Sequence, residues 1–138
     1  MIRAVLLALL LAGPAAAQVP EPDSYRGEPY RAPVPETLQG ATVVDAAQAL
    51  RLHAEGVPFL DVLPRKKRPE GLPEGTIWRE PPHDTIPGAI WLSDTGWEAL
   101  APAEQARLER GLEQATGGDR ARPLVIFCRS DCWMSWNA

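Results

Sequence analysis

Short apolar runs alternate with helical patterns from residue 40 onward, and this alternation constrains the fold more than any other feature. The apolar runs lie at 41–44, 58–62, 86–92 and 122–128. Strands that alternate with helices imply an α/β fold, with a parallel sheet flanked by helices and right-handed crossovers. The last run, RPLVIFC, contains the longest uninterrupted apolar stretch of the four, which predicts a buried central strand.

Local signals predict where the two helices begin and end. Asp45 is followed three residues later by Gln48, a capping-box pattern that predicts a helix over 46–55, and Gly56 stands at its C-terminal end. Pro102 is placed to be the first residue of the second helix, which a glycine pair ends.

The first 17 residues have the pattern of a secretory signal peptide. Arg3 precedes an apolar run over 4–12, and three small residues predict cleavage after Ala17. A short membrane anchor is the alternative, but the run is about half the length that a spanning helix needs. We therefore expect a periplasmic or secreted protein with no stable membrane span after cleavage.

Two proline-rich segments lie outside the predicted helices and strands. The lead-in, 18–39, is expected to be extended, and it either wraps the domain through Tyr25 and Tyr30 or is disordered. The domain proper is expected over 40–138. Its long loop contains a basic run, RKKR, which is interpreted as a solvated loop tip in preference to a docking patch.

Several functional classes lack support in the sequence. The net charge of −4 argues against nucleic-acid binding, and no glycine-rich phosphate loop is present. His53 and His83 do not have metal-ligand spacing to the cysteines, so no metal site is expected. Haem attachment is excluded because Cys132 is followed by Trp133 in place of histidine.

The two cysteines are the main candidates for chemistry. Cys128 ends the last predicted strand, and ligands of α/β sheets bind beyond the carboxyl ends of strands. Cys132 lies four residues on, close enough for a disulfide if the loop curls like a helical turn. An oxidising compartment permits three outcomes: redox or sulfur chemistry at Cys128, a structural disulfide, or no role for either thiol.

Three motifs in the expected order resemble the rhodanese-like domain. FLDV resembles its second-strand Asp-Val signature, TIPGAIWL resembles its His-Ile-Pro-Gly-Ala motif, and LVIFCRS resembles the strand that enters its catalytic loop. The resemblance spans 40–138 and implies a rhodanese-like sheet with Cys128 in the nucleophile position. Arg129 and Ser130 would then shape the loop or bind substrate, without a metal or cofactor.

CRSDCWMSWNA is also similar to the signature of exported proteins associated with pyrroloquinoline quinone-dependent catabolism, which are named for a Cys-x-x-Cys-Trp motif. Here three residues, not two, separate the cysteines. The resemblance implies a periplasmic quinoprotein dehydrogenase system as partner, and no cofactor of this chain's own is predicted beyond that association with quinone-dependent enzymes.

The loop departs from the family pattern at the positions where an ordinary sulfurtransferase has residues that favour the binding of anions. Asp131, Cys132 and Trp133 occupy those places, and Met134 stands where related phosphatases need an arginine. Phosphatase activity is therefore not expected and thiosulfate cleavage is disfavoured. A rhodanese domain normally continues past this loop, so the resemblance also implies a fragment that lacks its C-terminal part.

Two further interpretations stay open. Asp61, at the end of the second strand, either positions a loop or tunes the cysteine. Trp133 and Trp136 either form an aromatic surface for a planar cofactor such as a quinone, or pack in the core. The expected function is thiol redox or sulfur transfer at Cys128, with Cys132 as resolving residue; the alternative is a non-catalytic binding or assembly module with a structural Cys128–Cys132 disulfide.

Overall fold

The computed structural model describes residues 18–138 and shows a mixed α/β fold with a small parallel sheet. The predicted signal peptide, with its cleavage after Ala17, lies outside the described residues. In chain order the elements are α1 (Ala46–Ala54), β1 (Phe59–Asp61), β2 (Ile90–Trp91), α2 (Pro102–Thr116), β3 (Val125–Phe127) and α3 (Met134–Asn137).

The centre of the sheet is β1, not the last strand. The strand order is β2-β1-β3, and Leu60 of β1 pairs with Ile90 on one side and Ile126 on the other. All of β1 is buried, whereas β3 is half-buried at the edge. The prediction that 122–128 forms the central strand is wrong, because an apolar run reports burial of its side chains and not its order in the sheet.

The predicted strand at 41–44 is absent from the described structure. Only Ala41 is paired there, in an isolated antiparallel bridge with Leu38. Val43 is 46% exposed. β-propensity reflects packing on a pleated surface, and no neighbouring strand offers that surface here.

The helix boundaries follow the local signals. The Asp45 carboxylate accepts from the Gln48 amide at 2.7 Å, and the Gln48 side chain accepts from the Asp45 amide at 2.8 Å, which completes the capping box of α1. Gly56, one residue beyond the C-cap, has a φ of 78°, and Pro102 begins α2 as predicted. No residue of α1 is buried, and Leu50 is 71% exposed.

The lead-in wraps the domain, as the first of its two interpretations predicted. The Trp133 amide donates to the Tyr30 carbonyl at 2.9 Å, and the Ala32 amide donates to the Asp131 carbonyl at 3.1 Å. Tyr30 also packs edge-on against Trp97, whereas Tyr25 is 60% exposed and does not anchor the segment. The lead-in is therefore fixed directly to the cysteine loop.

One apolar core joins the sheet, α2 and the cysteine loop. The fully buried cluster consists of Leu60, Val62, Leu92, Ala115, Cys132 and Met134.

Between residues 18 and 138 no helix is long and apolar enough to cross a membrane.

Candidate redox site

The cysteine loop begins directly after β3 and runs into α3. Cys128 follows Phe127, the last residue of β3, and is half-buried. Cys132 is 5% exposed, and its backbone forms an antiparallel bridge with Arg31 of the lead-in. Residue 132 is therefore held on both sides, by the lead-in and by the first turn of α3.

Both cysteines are free, and the Cys128 thiol has its hydrogen-bond partners within the loop and α3. The Cys128 sulfur lies 3.4 Å from the Cys132 carbonyl oxygen and 3.2 Å from the Ser135 hydroxyl oxygen. The loop has thus curled enough to bring the Cys128 sulfur against the backbone of Cys132 and the side chain of Ser135.

The thiols share their protons unequally. The neighbouring Cys128 thiol, acting as a donor, lowers the pKa of Cys132 to about 6, with help from the Met134 and Arg129 amides. The proximity of Cys132, followed by burial, raises the pKa of Cys128. Cys132 is the more buried residue by exposed area, so hydrogen bonding outweighs desolvation at its sulfur. The pKa of Cys132 is therefore lowered and that of Cys128 raised, so Cys132 ionises first.

The three residues between the cysteines are exposed. Arg129 is near enough to Cys132 for its charge to favour the thiolate. Asp131 has a φ of 51°, in the left-handed region that non-glycine residues rarely adopt. The backbone reversal at Asp131 allows the loop to turn back, and Ser130 makes no side-chain hydrogen bond within residues 18–138.

The tryptophans lie on different sides of the loop. Trp133 is 1% exposed, beneath the Arg26 guanidinium, and packs edge-on against Trp136 at 5.2 Å. Its indole nitrogen has no hydrogen-bond partner in the described structure. Trp133 therefore packs in the core and offers no face to a planar cofactor, whereas Trp136 lies on the wall of a groove.

This groove is a cavity of about 1120 Å³ between α1, the sheet and α3. Most of its lining is apolar, and Cys128, Cys132 and Ser135 stand along it. The thiol pair is therefore reachable from an apolar cleft that is large enough for a small molecule or a peptide segment.

Asp61 belongs to the opposite end of the site. Its buried carboxylate accepts from the Leu63 amide at 2.9 Å and from the Thr85 hydroxyl at 2.6 Å. It also bonds His83 at 2.7 Å. The structure thus places Asp61 with the long loop, and its hydrogen bonds within residues 18–138 do not include the cysteines.

The sequence reasoning did not assign Ser135 or His83 to a site. Ser135 could have been found from its position seven residues after Cys128, two helical turns along, if the curl of the loop had been known. His83 gives no comparable signal, because its partner Asp61 is 22 residues away.

Neither metal-binding clusters nor comparison with known proteins assigns a further function to the described residues. Over residues 18–138, no three His, Cys, Asp or Glu side chains are grouped so that they could hold a metal ion. No family model, curated protein or solved structure matches the chain.

Proposed function

We propose that this chain is an exported, rhodanese-like accessory protein of quinoprotein-dependent alcohol oxidation, and that Cys128 and Cys132 perform thiol–disulfide exchange. The three rhodanese-like motifs and the Cys-Trp signature support the family and the periplasmic setting. The parallel α/β sheet, with Cys128 at the carboxyl end of β3, is compatible with that family.

One observation carries the chemical part of the proposal: Cys128 and Cys132 line the same apolar groove, with the Cys128 sulfur 3.4 Å from the Cys132 carbonyl oxygen and 3.2 Å from the Ser135 hydroxyl oxygen. An inert buried thiol has its pKa raised by desolvation alone. Here the pKa of Cys132 is lowered to about 6, and Cys128 lines an open groove.

The exchange follows from this proton arrangement. Cys132 thiolate accepts the Cys128 proton, and the resulting Cys128 thiolate attacks one sulfur of a substrate disulfide. The first substrate thiolate leaves, and Cys128 is held in a mixed disulfide. Cys132 then loses its proton to solvent and attacks the Cys128 sulfur, which releases the second substrate thiolate. The substrate gains two electrons, and the protein forms one disulfide.

Sulfur transfer is the less favoured branch of the same chemistry. A persulfide on Cys128 would be adjacent to the Cys132 thiolate, whose attack on the inner sulfur releases hydrosulfide and forms the disulfide. The acidic side chain of Asp131 is also exposed in the loop, and an anionic sulfur donor would have to approach it.

The proposal is tested by incubating the reduced full chain with oxidised glutathione, quenching with acid and measuring the adducts by mass spectrometry. We expect the wild type to form the internal disulfide. Cys132→Ser should accumulate one glutathione on Cys128, more slowly because its proton acceptor is lost. Cys128→Ser should form no internal disulfide.

Two results would contradict exchange at Cys128. One is a wild-type chain that stays reduced while a small control thiol is oxidised. The other is a folded Cys132→Ser variant that never carries glutathione on Cys128. A parallel incubation of Cys132→Ser with thiosulfate assigns the reaction to sulfur transfer if a persulfide appears on Cys128, because this variant lacks the thiol that would resolve it.

A further inference from the structure

A second cluster with chemical potential lies where the long loop folds back over the end of β1. His83 Nε2 is 2.7 Å from Asp61 Oδ2, and the Asp61 side chain is 4% exposed while that of His83 is 15% exposed. The same oxygen accepts from the Thr85 hydroxyl at 2.6 Å, and Asp61 Oδ1 accepts from the Leu63 amide at 2.9 Å. Both carboxylate oxygens are therefore engaged as acceptors.

This network assigns the protonated nitrogen of His83. An ionised carboxylate has no proton to donate, so the hydrogen in the 2.7 Å bond must come from His83 Nε2. In the neutral ring, Nδ1 is then the atom with the free lone pair. Nδ1 makes no hydrogen bond within the described part of the chain.

The ring of His83 is also held in its plane. It stacks on Trp91 with 3.9 Å between ring centroids and 9° between planes. The Trp91 indole is itself fixed, because its nitrogen donates to the Leu63 carbonyl at 2.8 Å. A carboxylate behind one nitrogen and a fixed ring plane are the features that position a histidine to accept a proton at its other nitrogen.

His83 lines a cavity of about 220 Å³, separate from the apolar groove. Two cations, Lys66 and Arg129, line the same cavity. Two acidic residues, Glu80 and Asp84, oppose them, although Glu80 is paired with Arg65 at 3.1 Å. The fixed charges nearly balance, so a proton on His83 decides whether the cavity attracts an anion.

We propose that this cavity binds a small oxyanion together with a proton on His83 Nδ1, with Lys66 and Arg129 completing the site. The bound anion accepts a hydrogen bond from Nδ1–H, and Asp61 keeps the opposite nitrogen protonated. This proposal does not depend on the thiol chemistry, because none of these side chains is a cysteine. Arg129 connects the two sites, since it lines the cavity and directly follows Cys128.

The charged and titratable groups around His83 predict the direction of the pH dependence. Because the proposed complex holds one more proton than the empty cavity, anion affinity rises as pH falls. By linkage, the anion in turn favours protonation of His83. The groups that face the ring or its cavity are Asp61, Arg65, Lys66, Glu80, Asp84 and Arg129.

Sulfate is the probe, and the imidazole resonances of the two histidines are the readout, measured by NMR at constant ionic strength. We expect saturable sulfate-dependent shifts of the His83 resonances, with an affinity about tenfold higher at a pH of about 5.5 than at a pH of about 7.5. His53 is the internal control, because it lies on α1 and hydrogen-bonds the Pro87 carbonyl at 2.9 Å, away from this cavity.

Two variants separate binding from a purely structural role of the cluster. His83→Gln keeps a donor for Asp61 but cannot take a proton, so sulfate binding, followed through the backbone amide resonances, should become weak and independent of pH. Arg129→Ala should weaken binding at both pH values while the fold is kept. Unsaturable shifts in the wild type, or a His83→Gln chain that retains the pH-dependent affinity, would overturn the proposal.

Discussion

Replacing Cys128 by alanine is expected to raise the pKa of Cys132 from about 6 toward the ordinary thiol value of 9.0. The largest cause of the lowered pKa is the hydrogen bond that the Cys128 thiol donates, and alanine removes that donor while leaving the backbone amides in place. Thiolate absorbance in the ultraviolet, or alkylation rate against pH, measures the shift.

A matched variant separates the hydrogen bond from the loss of a sulfur. Cys128→Ser keeps a hydroxyl donor near Cys132, so it should retain part of the lowered pKa, whereas Cys128→Ala should retain the least. An alanine variant whose remaining thiol still titrates near 6 would show that the amides of Met134 and Arg129, and not Cys128, hold the thiolate.

The same coupling makes the stability of the reduced protein depend on pH. Because the pKa of Cys132 is lower in the folded chain than the ordinary 9.0, its stabilising contribution is fully present above 9.0 and is lost as pH falls through about 6. The pKa of Cys128 is raised in the folded chain, so its contribution declines above 9.0. The free energy of unfolding of the wild type should thus increase from about pH 6 to pH 9.0, and Cys128→Ala should lose this increase.

Leu60→Ala is expected to lower the free energy of unfolding by about 2–5 kcal/mol. Leu60 has no exposed surface and lies in the central strand, between Ile90 and Ile126. Truncating its side chain removes apolar contacts and leaves a cavity in the middle of the sheet. Urea unfolding followed by tryptophan fluorescence measures the loss.

The control for this experiment is Leu50→Ala, the same chemical change on α1, where the side chain is 71% exposed. It should change stability by less than about 0.5 kcal/mol, with the same dependence on urea. Equal losses for the two leucines would contradict the assignment of the core to β1.

The helix ends could be predicted because their causes are local. Asp45 and Gln48 satisfy one another's backbone amides within one turn, and Pro102 has its φ fixed for a first helical residue. The order of the strands could not be predicted, because it depends on which distant segments of the chain pair. Residues 123–128, which contain β3, line the groove, so this run has the composition of a central strand without that position.

The position of the candidate site could be predicted from the sequence, but the pKa values of its two thiols could not. Cys128 was expected beyond the end of a strand, and it lies there. The lowered pKa of Cys132 depends on Cys128 and on the backbone at Met134 and Arg129, which come together only when the loop folds. The partnership of His83 with Asp61 required the long loop to fold back across the sheet, which no local pattern encodes.

The reduction potential of the Cys128–Cys132 couple tests the central claim most directly. A lowered thiol pKa stabilises the reduced form, which makes the disulfide more readily reduced than a structural one. We therefore predict a potential above about −300 mV, measured by equilibration of the full chain with glutathione redox buffers. A potential below about −300 mV would identify a structural disulfide and would contradict the exchange reaction proposed for this site.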